Sequence, residues 1–360
     1  MNYIVLNGVK STMIQGLLIQ SLPPVSKPLM RTSIEEIDGR DGDVVTKLGY
    51  SAYDKEVSIG LFGDYDVDEV IGFFDSEGSV IFSNEPDKFY KYQIIEQIDL
   101  ERLVKFKTAT VTFHVQPFKY SAVEDKVVYS KDKMSVNVYS AQKNGVTLSV
   151  QNDLITVSGT ASVDTEFYVP IKAMTLGAGS YTLKATTEGT GESCGSIRVI
   201  DSVPTDADSL GGSDLDLEDS GVATLSATVT EEKTFHYVWI YLESGTVMDY
   251  TLKVEVLADG ESSFKVFNRG NTISRPTVTI YGSDTIKLSI NSVELFTISL
   301  GNAGYITLDG VEMNAYKGNT LMNRLVVGDY SNLTLKQGTN IISWTGTVTE
   351  VDVENVTRWI

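Results

Sequence analysis

The chain has 360 residues, with 48 acidic against 29 basic side chains and a formal net charge of −19. That balance excludes a protein that grips nucleic acid by displacing counterions with Lys and Arg, and it argues equally against an anionic membrane surface. Hydrophobic residues make up 42%, enough for a buried core, and the length predicts two or three domains.

Cys194 is the single cysteine, so neither an intrachain disulfide nor a thiolate metal cluster can form. The opening Met1 to Gly8 lacks a basic segment followed by an apolar stretch, so no signal peptide is expected. No run of about 18 apolar residues reads as a membrane span.

The first clear element is a short helix. Asp66 stands at an N-cap position with Glu69 as capping-box partner, and Val67, Val70, Ile71 and Phe74 form one apolar stripe over two turns. Gly78 ends it and Val80-Ile81-Phe82 restarts a strand. Beyond it, Thr110 to Val115, Ile155 to Ser158, Thr182 to Ala185, Thr277 to Tyr281 and Glu294 to Leu300 read as strands, rich in β-branched and aromatic residues and spaced by turn signals. The expected class is all-β. Composition shifts from a Lys-containing segment to a Thr, Ser and Gly-rich one after Tyr120, and to aliphatic strands from Phe264. Boundaries near 126 and 260 follow, giving domains 1–125, 126–260 and 261–360.

The sharpest binding candidate is the strand Phe235 to Leu242. Side chains alternate between faces, so Val238, Ile240 and Leu242 suit a core while Tyr237, Trp239 and Tyr241 share the other face. Such rings suit sugars, whose C–H faces stack while their hydroxyls take hydrogen bonds; the alternative is that they pack beneath a loop or form the core. Arg198, in Ile197 to Ile200, is the candidate donor beside them. The acidic loop Asp201 to Asp219 invites a calcium reading. Asp206 and Asp208 start like an EF-hand, but Leu210 and Leu217 stand where the fifth and twelfth ligands belong, which excludes one. An irregular calcium site and a solvated loop stay open, with no metal expected.

Catalysis finds little support. His114 and His236 lie in strands without a Ser or Cys motif beside them, and Gly189-Thr190-Gly191 lacks the third glycine of a dinucleotide fingerprint. Neither an enzyme nor a cofactor is expected. Trp344 alternates into the apolar phase of its strand and reads as core; Trp359 packs the last strand or meets a neighbouring subunit.

Three stretches, Ile37-Asp38-Gly39-Arg40-Asp41-Gly42, Ser83 to Tyr90 and Gln116-Pro117-Phe118-Lys119-Tyr120, resemble in order and spacing the N-terminal domain of the siphophage distal tail (Dit) family. Asn268-Arg269-Gly270-Asn271, Arg275-Pro276 and Gly328-Asp329-Tyr330 through Trp344-Thr345-Gly346 resemble that family's second domain. The stretch between resembles an inserted carbohydrate-binding jelly roll, as in evolved members, through Leu154 to Thr160, Phe167-Tyr168-Val169-Pro170 and Leu176 to Leu183.

The resemblance implies an N-terminal ring-forming domain, an inserted jelly-roll sandwich and a C-terminal galectin-like sandwich. It implies a hexameric ring joining the major tail tube protein to a tail-associated tip protein, assembled in the host bacterial cytoplasm and residing at the virion tail tip. The insert would present a site for a host cell-wall saccharide. The alternatives are a stand-alone bacterial surface lectin-like protein, which leaves the N-terminal stretches unexplained, and a glycan hydrolase with a carboxylate pair.

Overall fold

Alternating apolar residues and tight turns set the architecture. The computed structural model describes residues 1–75, 77–98, 100–189, 195–203, 208–217 and 220–360. Cys194, Asp206, Thr190 and Gly191 lie outside them. The protein is almost entirely β; among the described residues, α-helix is confined to Val67–Phe74 and Leu100–Phe106. Two compact units emerge. The first comprises Met1–Val128, Phe264–Gly346 and Asp352–Ile360; the second comprises Tyr129–Ser263 and Thr347–Val351.

In the first unit, an eight-stranded sheet runs in the order Val9–Lys10, Ile4–Leu6, Glu77–Phe82, Lys88–Gln93, Thr108–Ser121, Tyr53–Leu61, Leu17–Ser21, with Arg358–Trp359 added to Thr108–Ser121. Its core gathers Ile4, Val57, Ile59, Phe82, Val111 and Phe113. The helix Val67–Phe74 closes it: Phe74 meets the Phe113 ring edge-on at 6.4 Å. Asp66 caps that helix as expected, accepting from the backbone N–H of Asp68 at 2.9 Å and of Glu69 at 3.5 Å.

The buried face of this helix is rotated from the expected stripe. Val70, Phe73 and Phe74 are buried, while Val67 and Ile71 are only half-covered. Burying a second phenylalanine removes more apolar surface from water than burying Val67. The helix Leu100–Phe106 was not expected, although Leu100, Leu103 and Val104 fall at helical spacing; Leu103 is fully buried.

One hairpin stands apart. Met30–Glu36 and Asp43–Tyr50 pair only with each other as a two-stranded sheet. Leu29, Ile34, Ile37, Val45 and Leu48 on it are exposed.

The C-terminal part of the first unit is built on the long strands Thr277–Ile290 and Gly338–Glu354. Thr277–Ile290 runs past the expected end at Tyr281, bending where Asp284 takes φ 61°. Trp344 is buried, 6.1 Å from the Phe264 ring. Asn340, fully buried, uses its amide group to hold the turn before its strand: its Oδ1 accepts from Lys336 N, and its Nδ2 donates to Lys336 O and Gly338 O.

The second unit is a two-sheet sandwich. One sheet has the order Tyr139–Lys143, Val146–Gln151, Leu154–Thr160, Val247–Asp259, Gly179–Gly189, Val222–Val229; the other has Thr165–Leu176, Lys233–Leu242, Gly195–Ile200, Leu215–Asp216. Leu148, Val157, Leu183 and Leu252 from the first meet Phe167, Val199, Val238 and Ile240 from the second in one core. Interdigitation of two inner faces in this way is what holds β-sandwiches together. The long segment Tyr129–Ser263 of this unit begins and ends at adjacent points: Ala258 N donates to Lys131 O at 2.9 Å, and Lys133 pairs with Glu261 at 2.8 Å.

Four hairpins turn on two residues in left-handed conformation, each led by asparagine: Asn7-Gly8, Asn144-Gly145, Asn152-Asp153 and Asn291-Ser292. This turn matches strand twist, and asparagine tolerates its positive φ better than most residues.

Candidate functional site

The four-stranded sheet of the sandwich turns one face to the core and leaves the other for chemistry. Pairing brings Tyr168, Trp239 and Arg198 into one row, since Trp239 lies opposite Tyr168 on one side and Arg198 on the other. Glu166, Tyr241 and Ser196 form the next row, and Pro170, Tyr237 and Ile200 the one beyond. The bulge between Pro170 and Met174 shifts the register at one end of the strand, which is why Phe235 also reaches the core.

Trp239 is the centre. The Arg198 guanidinium lies 4.9 Å from its ring centroid, and the Tyr241 ring stacks on it at 5.8 Å with an interplanar angle of 21°. These neighbours leave Trp239 only 6% exposed. Its Nε1–H is buried and, among the described residues, has no hydrogen-bond partner. A buried donor in that condition is uncommon and calls for a physical explanation.

Around the tryptophan the polar groups are tied down. Arg198 Nε donates to Asp214, which raises the guanidinium pKa. Tyr241 OH donates to Asp164 Oδ2 at 2.8 Å, and Asp164 Oδ1 accepts from Ser244 N at 3.0 Å. That bond holds the Asp164 carboxyl below, and the Tyr241 phenol above, their ordinary values. Tyr168 OH donates to Glu166 Oε2 at 3.1 Å.

The strand expected to carry the site thus brings together Trp239, Tyr241 and Arg198, with Tyr237 one row along. Tyr168, Glu166, Asp164 and Asp214 are additions. Tyr168 alternates with the core residues Phe167 and Val169, so its outward face was readable; its partner strand was not. Trp239 itself is not an open platform. The face offers half-buried tyrosines, the Arg198 guanidinium and carboxylate oxygens around a buried donor, which suits a ligand rich in hydroxyls.

Other clusters read differently. His114 Nδ1 lies 2.7 Å from Asp54 Oδ1, a cross-strand pair fixed by register and exposed on its sheet; His236 is exposed. In the acidic segment, Leu210 and Leu217 are core residues, and Asp208 and Asp214 are paired with Lys233 and Arg198. Among the described residues, no group of three or more His, Cys, Asp or Glu is placed to hold a metal ion, and no helix is long and apolar enough to cross a membrane.

No protein family and no curated protein matches the sequence. Among solved structures the chain is similar to the Dit protein of SPP1, described as a paradigm of hub adsorption apparatus in phages infecting Gram-positive hosts, at 13% identity and a TM-score of 0.47, with 99% of each chain covered. It is also similar to chains of the phage p2 baseplate in its activated conformation with Sr and with Ca, at 13% and 11% identity and a TM-score of 0.21. Those two likenesses cover 71% of this chain and 96% and 98% of theirs. All these scores lie below 0.5, so the residues themselves must carry the functional conclusion.

Proposed function

We propose that the protein is a non-enzymatic structural component of a phage tail end: a ring-forming hub, with an inserted sandwich that presents a saccharide-binding face. In this reading residues 1–125 form the ring domain, 126–260 the jelly-roll insert and 261–360 a galectin-like sandwich. The ring is hexameric and links the tail tube to the tip.

One observation carries it. The segments on either side of the proposed insert come from opposite ends of the sequence, yet they close on one another. Arg358 and Trp359 pair with Tyr120 and Lys119, and the Arg358 guanidinium lies 4.3 Å from the Phe118 ring centroid. From the second-domain stretch, Arg269 reaches Asp125 at 3.6 Å. A lectin-like surface protein has no evident need for this joint.

The isolated hairpin Met30–Tyr50 supports self-association. A two-stranded ribbon is marginal in water alone, and exposed apolar side chains on it favour burial against another subunit. Light scattering and negative-stain images of the purified chain test the reading, and six-fold rings with a central hole are expected. Ile34→Lys, on the exposed hairpin face opposite Val45, should yield folded monomers. A chain that stays monomeric at high concentration, even with its tail partners, would remove the ring from the reading.

A further inference from the structure

We infer that the Trp239 face takes uncharged saccharides and turns away anionic ones, with Tyr168 and Glu166 in the binding set beside Trp239, Tyr241 and Arg198. The inference rests on the saccharide reading above and adds the ligand class.

The charge arrangement argues for it. Arg198 and Lys143 stand near the face, and both are engaged: Arg198 with Asp214, and Lys143 through a 3.2 Å bond to the Glu166 carbonyl. Against them stand five carboxylates: Asp164, Glu166, Asp214, Glu243 and, on the strand paired with Ser196, Asp216. Glu166 acts electrostatically on both Arg198 and Tyr241, and Glu243 on Tyr241. A carboxylate or phosphate arriving here would meet a net negative field, and like-charge juxtaposition opposes binding. Hydroxyl groups meet no such barrier, because they can donate to Glu166 and Asp164 and accept from the Arg198 guanidinium.

The Trp239 Nε1–H gives the second, independent observation. It is shielded from bulk water and unpartnered among the described residues, and indole is a donor only. A hydroxyl or ring oxygen that reached it would satisfy a donor the fold leaves open. Because Arg198 and Tyr241 already cover the indole and its nitrogen is buried, the sugar ring is expected to lie along Tyr241 and Tyr168, with an oxygen reaching the indole nitrogen as the Arg198 side chain moves aside.

Titration calorimetry of the full chain tests this. The probes are neutral hexose and N-acetylhexosamine hexasaccharides, set against an oligogalacturonate of the same length. At least one neutral probe should bind saturably, with oligogalacturonate at least about tenfold weaker. Trp239→Phe keeps the ring and deletes the donor; it should weaken neutral binding about fivefold to tenfold. Glu166→Gln should narrow the gap between neutral and anionic probes, and both variants are conservative enough to fold. Oligogalacturonate binding as tightly as the neutral probes, or no neutral probe binding, would overturn the inference. So would neutral binding indifferent to Trp239→Phe. Calorimetry reads this face alone: rings without saccharide binding would sink the inference and spare the tail hub, and binding without rings would do the reverse.

Discussion

Two clusters in this protein set a cation against aromatic rings, and they have opposite characters. In the first unit, Lys55 lies 5.0 Å from the Tyr90 centroid and 5.5 Å from that of Tyr53. Its Nζ donates to Pro24 O at 2.9 Å, while Glu85 accepts from Lys119 and from Tyr90 OH, each at 2.7 Å. Lys55 is 3% exposed. In the second unit, the Arg198 and Asp214 side chains are 29% and 36% exposed. The first cluster is buried and its charged groups are paired within it, so they hold the fold; the second sets a partly exposed ion pair at the surface, so its charged groups can exchange partners. The contrast separates a structural network from a site better than residue type does.

The contrast can be broken most forcefully at Glu85. Glu85→Ala leaves Lys119 and Lys55 buried without their counter-charge, and losing one partner of a buried pair costs about 3–5 kcal/mol. Denaturant unfolding should show that loss and leave the Trp239 face unaltered.

Next comes a pH effect. Burial lowers the Lys55 pKa to about 8 from 10.5, against the opposing pull of Glu85 and with Lys119 adding to the lowering. Between those values the unfolded chain binds more protons than the folded one, so stability should rise from pH 8 toward pH 10, by on the order of 1–3 kcal/mol. Tyr53 and Tyr90, whose phenols are raised, work the other way above about pH 10. Unfolding curves across this range should show the rise in the native protein and lose it in Lys55→Met. A flat profile would mean that Lys55 is not desolvated as described.

The smallest effect belongs to the exposed pair. Asp214→Asn should cost under about 1 kcal/mol, as partly exposed ion pairs do. A loss matching that of Glu85→Ala would erase the distinction between the clusters.

Much of this was legible in the sequence. Alternation gave the strand Lys233–Leu242 its two faces and put Trp344 in the core, and a cap marked the helix at Asp66. Tyr168 and Glu166 were not legible as candidate-site residues, because the pairing that sets them beside Trp239 and Tyr241 spans about 70 residues and depends on register that no local pattern encodes. Lys55 left a signal that is easy to pass over: it shares the apolar phase of its strand with Val57 and Ile59, and a charge in that phase must be buried with a partner. The rotated face of the first helix followed from packing between rings, which periodicity alone does not weigh.

The adjacency of Lys131 and Ala258 has an evolutionary consequence. The residues between them, which make up most of the second unit beside Thr347–Val351, begin and end within one hydrogen bond. Removing or exchanging the residues between them would ask the remaining chain to span only a few ångströms. Recombination at that seam would supply new surface chemistry while the chain on either side kept its own fold.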